Sequence, residues 1–419
     1  MHFSIPDTEE FTDDGNSTYM GYNIHVNGVF HCSVRYRQLH NLHEQLKKEF
    51  GVNNLPTFPP KKLLPLSSSQ LEERRALLEK YIQAIGQDPR LVNSDLFNGF
   101  LLSAQQETSC EKSQEVNLDV YLMNGYRILL KVLTTERSDQ VLEKVCQQIN
   151  LPSEYVYYFS LFLIKREDDG DVTVLRKLQD FESPYISQKS IQGVHRLVLR
   201  KSYWDPSYDI ELMSDKVALN LLYVQTVADV EKGWILSSKE TQKHLASLQA
   251  RGAKKEHGEG SSIHSNSSST SDNSQPQLEL SFEYLMSKDK LQWITIASEQ
   301  AILMSVCLQA MVDELLLKKT GMKRRQPSDN SRKGSWSYMK RDGSSQLISI
   351  SQSTSTDGIA TKPSAENGDT KPPAKLESTS SMKRLSEKLA SVSLKSSIRL
   401  LPHPLVENDA FEGIGDDDL

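Results

Sequence analysis

At 419 residues, the chain has room for two or three domains and the linkers between them. Its formal net charge of −6 excludes a polycation built to bind nucleic acid along its whole length. The four cysteines are far apart in the sequence and match no zinc or redox spacing. We therefore expect free thiols in a reducing compartment, no bound metal and no nucleic-acid partner.

The charge and hydrophobicity patterns predict peripheral contact with a membrane. Residues 20–100 carry 10 Lys and Arg against 7 Asp and Glu, so this part of the chain is locally basic. Residues 1–15 are polar and acidic, unlike a signal peptide. The longest strongly apolar segment, residues 301–312, is too short to cross a bilayer.

The first folded region is predicted at residues 19–106, after a flexible leader over residues 1–18. Apolar residues alternate on both sides of Asn27-Gly28, which predicts a β-hairpin, because a type I′ turn needs positive φ at both positions. Leucines at helical spacing precede a proline-rich loop, and a second apolar helical stripe follows it. The apolar residues 63–66 either pack inward or form a tip that enters the lipid interface.

Three cations and one aromatic ring on these elements form a candidate binding site. Arg35 and Tyr36 end the second strand of the hairpin, Lys61 ends the proline-rich loop, and Arg74 lies on the next helix. Arginine offers planar donors to a phosphate, lysine offers a point charge, and tyrosine offers a face to a sugar-like ring. The set predicts a site for a compact, multiply charged anion. Each residue taken alone would also suit an ordinary solvated surface.

This set resembles the phosphoinositide pocket of PX domains. The match rests on Arg35-Tyr36, on the proline-rich loop that ends at Lys61, and on the Glu-Arg-Arg segment around Arg74. The resemblance implies that Arg35 holds the 3-phosphate of phosphatidylinositol 3-phosphate and that Tyr36 stacks on the inositol ring. It also implies that Lys61 meets the 1-phosphate and that Arg74 reaches the ring hydroxyls.

Residues 115–200 show a second hairpin signal, a helical face and further strand-like runs. This order fits a ubiquitin-like β-grasp, and it equally fits an unrelated α+β domain of similar size. With residues 1–6, 284–289 and 411–415, the chain resembles the PX-FERM sorting nexins, which are endosomal cargo adaptors. The resemblance implies that residues 115–200 are the first FERM lobe.

The rest of the FERM-like region is predicted to be shortened. Residues 201–252 resemble part of the helical second lobe, and residues 253–276 form a Ser-rich segment with too few apolar residues for a core. Residues 277–321 show two strands and a helix, a remnant of the PTB-like third lobe. Such a remnant is marginal alone, so the chain is a shortened variant or the remnant docks on the preceding lobes.

In the family, the PTB-like lobe binds NPxY or NxxY tails of transmembrane cargo by strand addition. This resemblance implies that Trp293, with Tyr284 nearby, belongs to the cargo-binding region. The alternative for Trp293 is an ordinary place in a buried core.

The tail over residues 322–419 is predicted to be mostly disordered, because it is rich in Ser, Lys and Pro and poor in aromatic residues. Its end combines aromatic, flexible and acidic residues. The resemblance implies that this end recruits the retriever recycling complex through Phe411, Ile414, Gly415, Asp418 and Leu419. The alternative is an acidic solubilising tail.

The sequence contains no Gly-rich phosphate loop, GxSxG elbow or HExxH motif, so we expect no catalytic residues, no cofactor and no enzyme. The predicted fold class is α+β and multidomain, a PX domain followed by a partial FERM-like module and a disordered tail. The predicted function is an adaptor on the cytoplasmic face of early endosomes that binds phosphatidylinositol 3-phosphate and recycles cargo away from lysosomal degradation. The alternatives are a soluble scaffold whose β-grasp lobe binds a small GTPase or peptide, and an unrecognised enzyme.

Overall fold

The structure is a computed structural model. It describes residues 1–12, 16–62, 66–166, 172–253, 278–287, 290–321 and 335–349. The first unit packs an antiparallel sheet against helices. Its strands are β1 (Phe3–Ser4), β2 (Thr8–Thr12), β3 (Thr18–Val26) and β4 (Val29–Arg35). Its helices are α1 (Tyr36–Phe50), α2 (Ser68–Gln87), α3 (Pro89–Val92) and α4 (Asp95–Ser109). Strand β3 pairs with each of the other three strands.

The hairpin predicted at Asn27-Gly28 is confirmed. Asn27 has a φ of 50° and Gly28 a φ of 81°, as a type I′ turn requires. A register shift between Ile24 and His25 changes which side chains face the core. As a result, Phe30 is 42% exposed although the simple alternation places it inside.

The residues predicted to form a flexible leader, 1–18, instead contain two strands of the sheet. Phe3 and Ile5 are fully buried, so the segment adds to the core. Its backbone is also held by α2, because the N–H groups of Phe3 and Ile5 donate to the side chains of Gln83 (2.6 Å) and Glu79 (2.7 Å). Because the segment is polar overall, its composition did not indicate that these two residues are buried.

The second unit is a five-stranded mixed sheet with the β-grasp order. Its elements are β5 (Glu115–Tyr121), β6 (Arg127–Leu133), α5 (Ser138–Gln148), β7 (Phe159–Arg166), β8 (Val172–Lys177), α6 (Pro184–Lys189) and β9 (His195–Lys201). The strand order is β6-β5-β9-β7-β8, with β5 and β9 parallel and the other pairs antiparallel. The parallel central pair distinguishes this fold from a simple meander.

Three helices follow the β-grasp sheet, as the helical pattern predicts. They are α7 (Ser207–Leu212), α8 (Lys216–Glu231) and α9 (Lys239–Ala253). The predicted Ser-rich segment falls almost wholly on residues 254–277, which lie outside the described residues. The predicted remnant contains β10 (Glu279–Ser287), β11 (Lys290–Ala297) and α10 (Ala301–Thr320), and its two strands pair only with each other among the described strands.

The remnant docks on both preceding units through α10. The Oε2 atom of Glu314 accepts hydrogen bonds from the backbone N–H groups of Trp204 and Asp205, both at 2.8 Å. Lys318 forms an ion pair with Asp205. At the other end, the side chain of Ile302 packs against Gly28 of the first hairpin. Docking therefore supplies the neighbours that an isolated hairpin and helix would lack.

Part of the predicted disordered tail is folded. The strands β12 (Ser335–Met339) and β13 (Ser345–Ser349) form an antiparallel hairpin. Trp336 and Tyr338 are 7% and 3% exposed, and both belong to the apolar core of the first unit. The prediction of disorder was wrong for these residues, because apolar partners such as Phe100 lie more than two hundred residues earlier. The recruitment residues 411–419 lie outside the described residues.

A buried polar cluster joins α4 of the first unit to the β-grasp unit. Gln105 accepts a hydrogen bond from the N–H of Ser183 (2.8 Å) and donates to Ser187 Oγ (3.0 Å). Glu182 is 1% exposed and forms a bidentate pair with Arg176 at 2.7 and 2.8 Å. Burial alone would raise the pKa of Glu182, but the charge and hydrogen bonds of Arg176, the charge of His31 and the hydrogen bond from Ser187 together hold this pKa below its ordinary value.

Candidate functional site

Arg35 and Tyr36 lie at the junction where β4 ends and α1 begins. The N–H of Arg35 donates to Oε1 of Gln38 at 2.8 Å, which fixes the first turn of the helix. The guanidinium of Arg35 lies over the ring of Tyr19, with its Cζ atom 3.7 Å from the ring centroid. Its Nη1 group donates to the backbone carbonyl of Arg341 at 2.8 Å. The side chain is therefore held by an aromatic face and a carbonyl.

Tyr36 links the helix junction to the proline-rich loop. Its hydroxyl donates to the carbonyl of Pro59 at 2.8 Å, and its ring centroid lies 5.6 Å from that of Phe58. Phe58 stacks on His43 at 4.8 Å, so the loop is anchored by packed rings. Burial raises the pKa of the Tyr36 phenol, although the nearby charge of Arg74 opposes the shift. Tyr36 therefore stays protonated and able to donate at neutral pH.

Arg74 approaches Tyr36 from α2. Its Cζ atom lies 4.4 Å from the centroid of the Tyr36 ring, which places a cation over an aromatic face. Its guanidinium also interacts with the phenol of Tyr22, whereas its Nη2 atom is buried and makes no hydrogen bond within the described part of the chain. A buried, unpartnered donor on a charged side chain is costly, so this atom is suited to an anionic or hydroxylic ligand.

Lys61 is exposed and lies two residues after Pro59. The Cα atoms of two such residues are at most about 7 Å apart, so Lys61 stays near the Tyr36 hydroxyl that holds Pro59. The neighbouring Lys62 forms an ion pair with Glu73 of α2 at 3.4 Å. This ion pair holds the end of the loop near the helix that carries Arg74. Residues 63–65, where the sequence allowed an apolar tip, lie outside the described residues.

The structure thus brings the strand end, the proline-rich loop and α2 together around Tyr36. Sequence reasoning missed two parts of this arrangement. Tyr19, which stacks under Arg35, has a weak signal as an aromatic residue at the start of the first strand of the hairpin. Arg341 had no signal at all, because it lies in the segment that composition assigned to disorder.

Trp293 and Tyr284, the predicted cargo residues, lie on the β10–β11 hairpin and are 60% and 52% exposed. Trp293 is therefore not a buried core residue. It pairs with Glu283, whereas Tyr284 pairs with Gln292, so the two aromatic side chains belong to opposite faces of the ribbon. The structure does not bring Trp293 and Tyr284 together into one surface.

Two of the four cysteines, Cys32 and Cys146, are buried. Within the described ranges, His, Cys, Asp and Glu form no cluster that could hold a metal ion. Burial raises the pKa of the Cys146 thiol to about 12 and also raises that of Cys32, so both stay protonated thiols. Nor does any helix of the described segments have the length and apolar character of a membrane span.

Family models match four consecutive regions of the chain. A PX domain matches residues 22–104, and the F1 lobe of the FERM domain of sorting nexins 17, 27 and 31 matches residues 116–204. The F2 lobe of the FERM domain of sorting nexins 17 and 31 matches residues 205–259, and the sorting nexin 17 FERM C-terminal domain matches residues 258–316.

The chain is also similar to curated proteins over its whole length. It is 43% identical to sorting nexin-17 of Homo sapiens and 41% identical to that of Danio rerio, each over 493 aligned residues that cover 100% of both chains. It is 41% identical to sorting nexin-31 of Homo sapiens over 251 residues, 60% of this chain and 56% of that protein. Because 493 aligned positions exceed 419 residues, parts of the two longer relatives have no counterpart here.

Proposed function

Because the chain belongs to the sorting nexin-17 family, and so has an endosomal sorting role with phosphoinositide binding, we propose that its lipid ligand is phosphatidylinositol 3-phosphate. We further propose that it recycles cargo with NPxY or NxxY motifs from early endosomes, where it is a peripheral protein on the cytoplasmic face. The family is one of trafficking adaptors rather than enzymes. The alternative is a scaffold that binds a small GTPase or peptide without lipid contact, and vesicle binding distinguishes the two.

The observation that carries the lipid assignment is the cluster around Tyr36. Arg35 is adjacent to Tyr36 in the chain, and the guanidinium of Arg74 lies 4.4 Å from its ring centroid. In the proposed complex, Arg35 binds the 3-phosphate, and Tyr36 supports the inositol ring. Lys61 then meets the 1-phosphate, and the unpartnered Nη2 of Arg74 reaches the ring hydroxyls. Charge-assisted hydrogen bonds of this kind are about twice as strong as neutral ones.

Vesicle flotation with the full chain tests the lipid site. Arg35→Ala should abolish binding to vesicles that contain phosphatidylinositol 3-phosphate, with an unchanged circular dichroism spectrum. Arg90→Ala is the matched control, because Arg90 is an exposed arginine of the same unit that pairs with Asp88. Retained binding by Arg35→Ala, or equal losses in both variants, would count against the pocket. Absence of headgroup-dependent binding by the unmodified chain would favour the scaffold.

Cargo binding is proposed for the exposed face of the β10–β11 hairpin. Trp293 shares that face with Glu283, whereas Tyr284 belongs to the other face, which it shares with the buried Leu280. Titration of an NPxY peptide against the full chain should give saturable binding that Trp293→Ala weakens. Tyr284→Ala is the comparison, because it removes a ring of similar exposure from the opposite face. No saturable binding would refute cargo recognition by the shortened lobe.

Recruitment of the retriever recycling complex is proposed for the end of the chain. The residues assigned to it are Phe411, Ile414, Gly415, Asp418 and Leu419. Deletion of residues 411–419 should abolish co-purification with retriever subunits and leave vesicle binding unchanged, because the headgroup residues lie in a separate unit. Unchanged co-purification would identify the end as a solubilising acidic tail.

A further inference from the structure

The hairpin of β12 and β13 packs across α1 and α4 of the PX unit. Its two buried aromatic residues, Trp336 and Tyr338, lie in the same apolar cluster as core residues of those helices. The ring centroids of Phe100 and Tyr338 are 5.8 Å apart, and the Trp336 indole contacts Gly99. The hairpin therefore completes the core of a domain that lies more than two hundred residues away in sequence.

Two glutamine side chains of α1 bind the backbone of β12. Gln45 accepts a hydrogen bond from the N–H of Ser337 (3.0 Å) and donates to the carbonyl of the same residue (2.7 Å). Gln38, which is 1% exposed, donates to the carbonyl of Met339 and to the hydroxyl of Tyr338, both at 3.0 Å. These paired amide contacts fix the register of the strand on the helix.

The turn of the hairpin is held by α4 and β4. Glu107 accepts from the Tyr338 hydroxyl at 2.7 Å and from the N–H of Arg341 at 2.8 Å. The Nη2 group of Arg341 donates to the carbonyl of Ser33 and to Oγ1 of Thr108, both at 2.7 Å. The backbone of Arg341 is thus held through its own side chain and through its own N–H.

The same backbone reaches the lipid site. The carbonyl of Arg341 accepts from Nη1 of Arg35 at 2.8 Å, while the ring of Tyr19 covers the Arg35 guanidinium. The hydrogen bond to the Arg341 carbonyl and the stacking on the Tyr19 ring together restrict the rotation of the Arg35 guanidinium. A side chain that is oriented before its ligand arrives loses less entropy on binding.

We propose that residues 335–349 are an internal binding partner of the PX domain, and that Arg341 is a positioning residue for the headgroup site. Arg341 acts through its carbonyl, which orients Arg35 toward the 3-phosphate. The inference rests on the proposed function of Arg35. It makes the lipid-binding unit discontinuous, because a segment from beyond the FERM-like lobes contributes to it.

The test compares Arg341→Ala with Lys340→Ala in the full chain. Each variant removes one positive charge from the same turn. Of the two side chains, it is Arg341 that donates hydrogen bonds to Ser33 and Thr108. Arg341→Ala keeps the carbonyl but removes the side-chain contacts that position it. It should therefore weaken binding to vesicles with phosphatidylinositol 3-phosphate about tenfold, as loss of the Arg35 hydrogen bond would. It should also reduce the preference for these vesicles over ones with phosphatidylinositol 4-phosphate. Lys340→Ala should change binding less than twofold and leave the preference intact.

Equal effects of the two variants, or an unchanged preference in Arg341→Ala, would overturn the positioning role while leaving lipid binding in place. If the unmodified chain binds neither vesicle, the proposed lipid site fails and this inference fails with it. Should Arg341→Ala lower the melting temperature, Tyr338→Phe is the second variant, because it removes only the hydroxyl, which donates to Glu107 and accepts from Gln38. It should reduce the same preference with the ring still in the core, and an unchanged preference would refute the inference.

Discussion

The indole of Trp336 occupies the space beside Gly99 where any other residue would place its side chain. A β-carbon at position 99 would lie 2.3 Å from Cζ2 and 2.6 Å from Cε2 of Trp336. A glycine inside a helix such as α4 costs about 1 kcal/mol relative to alanine. The need to accommodate the indole therefore explains why a glycine occupies position 99 despite this cost.

Gly99→Ala should therefore release the hairpin, despite the better helix propensity of alanine. We expect loss of hydrogen-exchange protection at the backbone amides of residues 335–349, and a lower melting temperature. The control is the same change in a Trp336→Ala background, where no indole blocks the β-carbon. There, Gly99→Ala should be neutral or stabilising by up to about 1 kcal/mol. Destabilisation of equal size in both backgrounds would contradict the contact.

Arg74 and Arg75 are neighbours in α2 with different partners, which makes them a matched pair. Arg74 lies against Tyr36, whereas Arg75 is paired with Glu72 and Glu79 and donates to the carbonyl of Ile5. Arg74→Ala should weaken vesicle binding about tenfold, because it removes donors for the headgroup. Arg75→Ala should lower thermal stability more than it lowers lipid affinity. The reverse pattern would reassign the headgroup contact.

Glu314 should be required for docking of α10 on the unit before it. It is 5% exposed, and Glu314→Ala would leave the N–H groups of Trp204 and Asp205 without this acceptor. We expect a loss of roughly 1–3 kcal/mol in the free energy of unfolding and faster hydrogen exchange in α10. Glu299→Ala, which removes an exposed carboxylate just before the helix, should have no effect beyond about 0.5 kcal/mol. Equal exchange in the two variants would contradict the role of Glu314.

His31 should make the fold less stable in mild acid. Burial lowers its pKa from 6.5 to about 4, although the charge of Glu182 opposes the shift, and its ring bonds the carbonyl of Leu101 at 3.0 Å. Between these two pKa values the unfolded chain binds a proton that the folded chain does not. Stability is therefore fully present above pH 6.5 and is lost as the pH falls toward 4.

Denaturant unfolding from pH 7 to pH 5 should show a loss at this site of roughly 2 kcal/mol. In His31→Gln, whose amide can still donate to the Leu101 carbonyl, this part of the pH dependence should disappear. An identical pH dependence in both proteins would assign the effect to other groups.

Local sequence was sufficient for the elements with strong, short-range signals. Asn27-Gly28 set the first hairpin through positive φ, and the alternation of apolar residues predicted the strands around it. Most elements of the β-grasp, and α8 of the helical region, also follow from periodicity, because they bury a regular face, whereas the described side chains of α9 are exposed. Residue type was sufficient to predict a site for an anionic ring at Arg35, Tyr36, Lys61 and Arg74.

Tertiary structure alone decided how distant segments complete the first unit. Phe3 and Ile5 are buried in a segment whose composition predicts a flexible leader, and Trp336 and Tyr338 are buried in one that predicts disorder. The physical reason is that burial depends on the surface a side chain meets. Composition measures only its immediate neighbours in the chain. Arg341 shows the same limit, because its carbonyl matters only where folding places it beside Arg35.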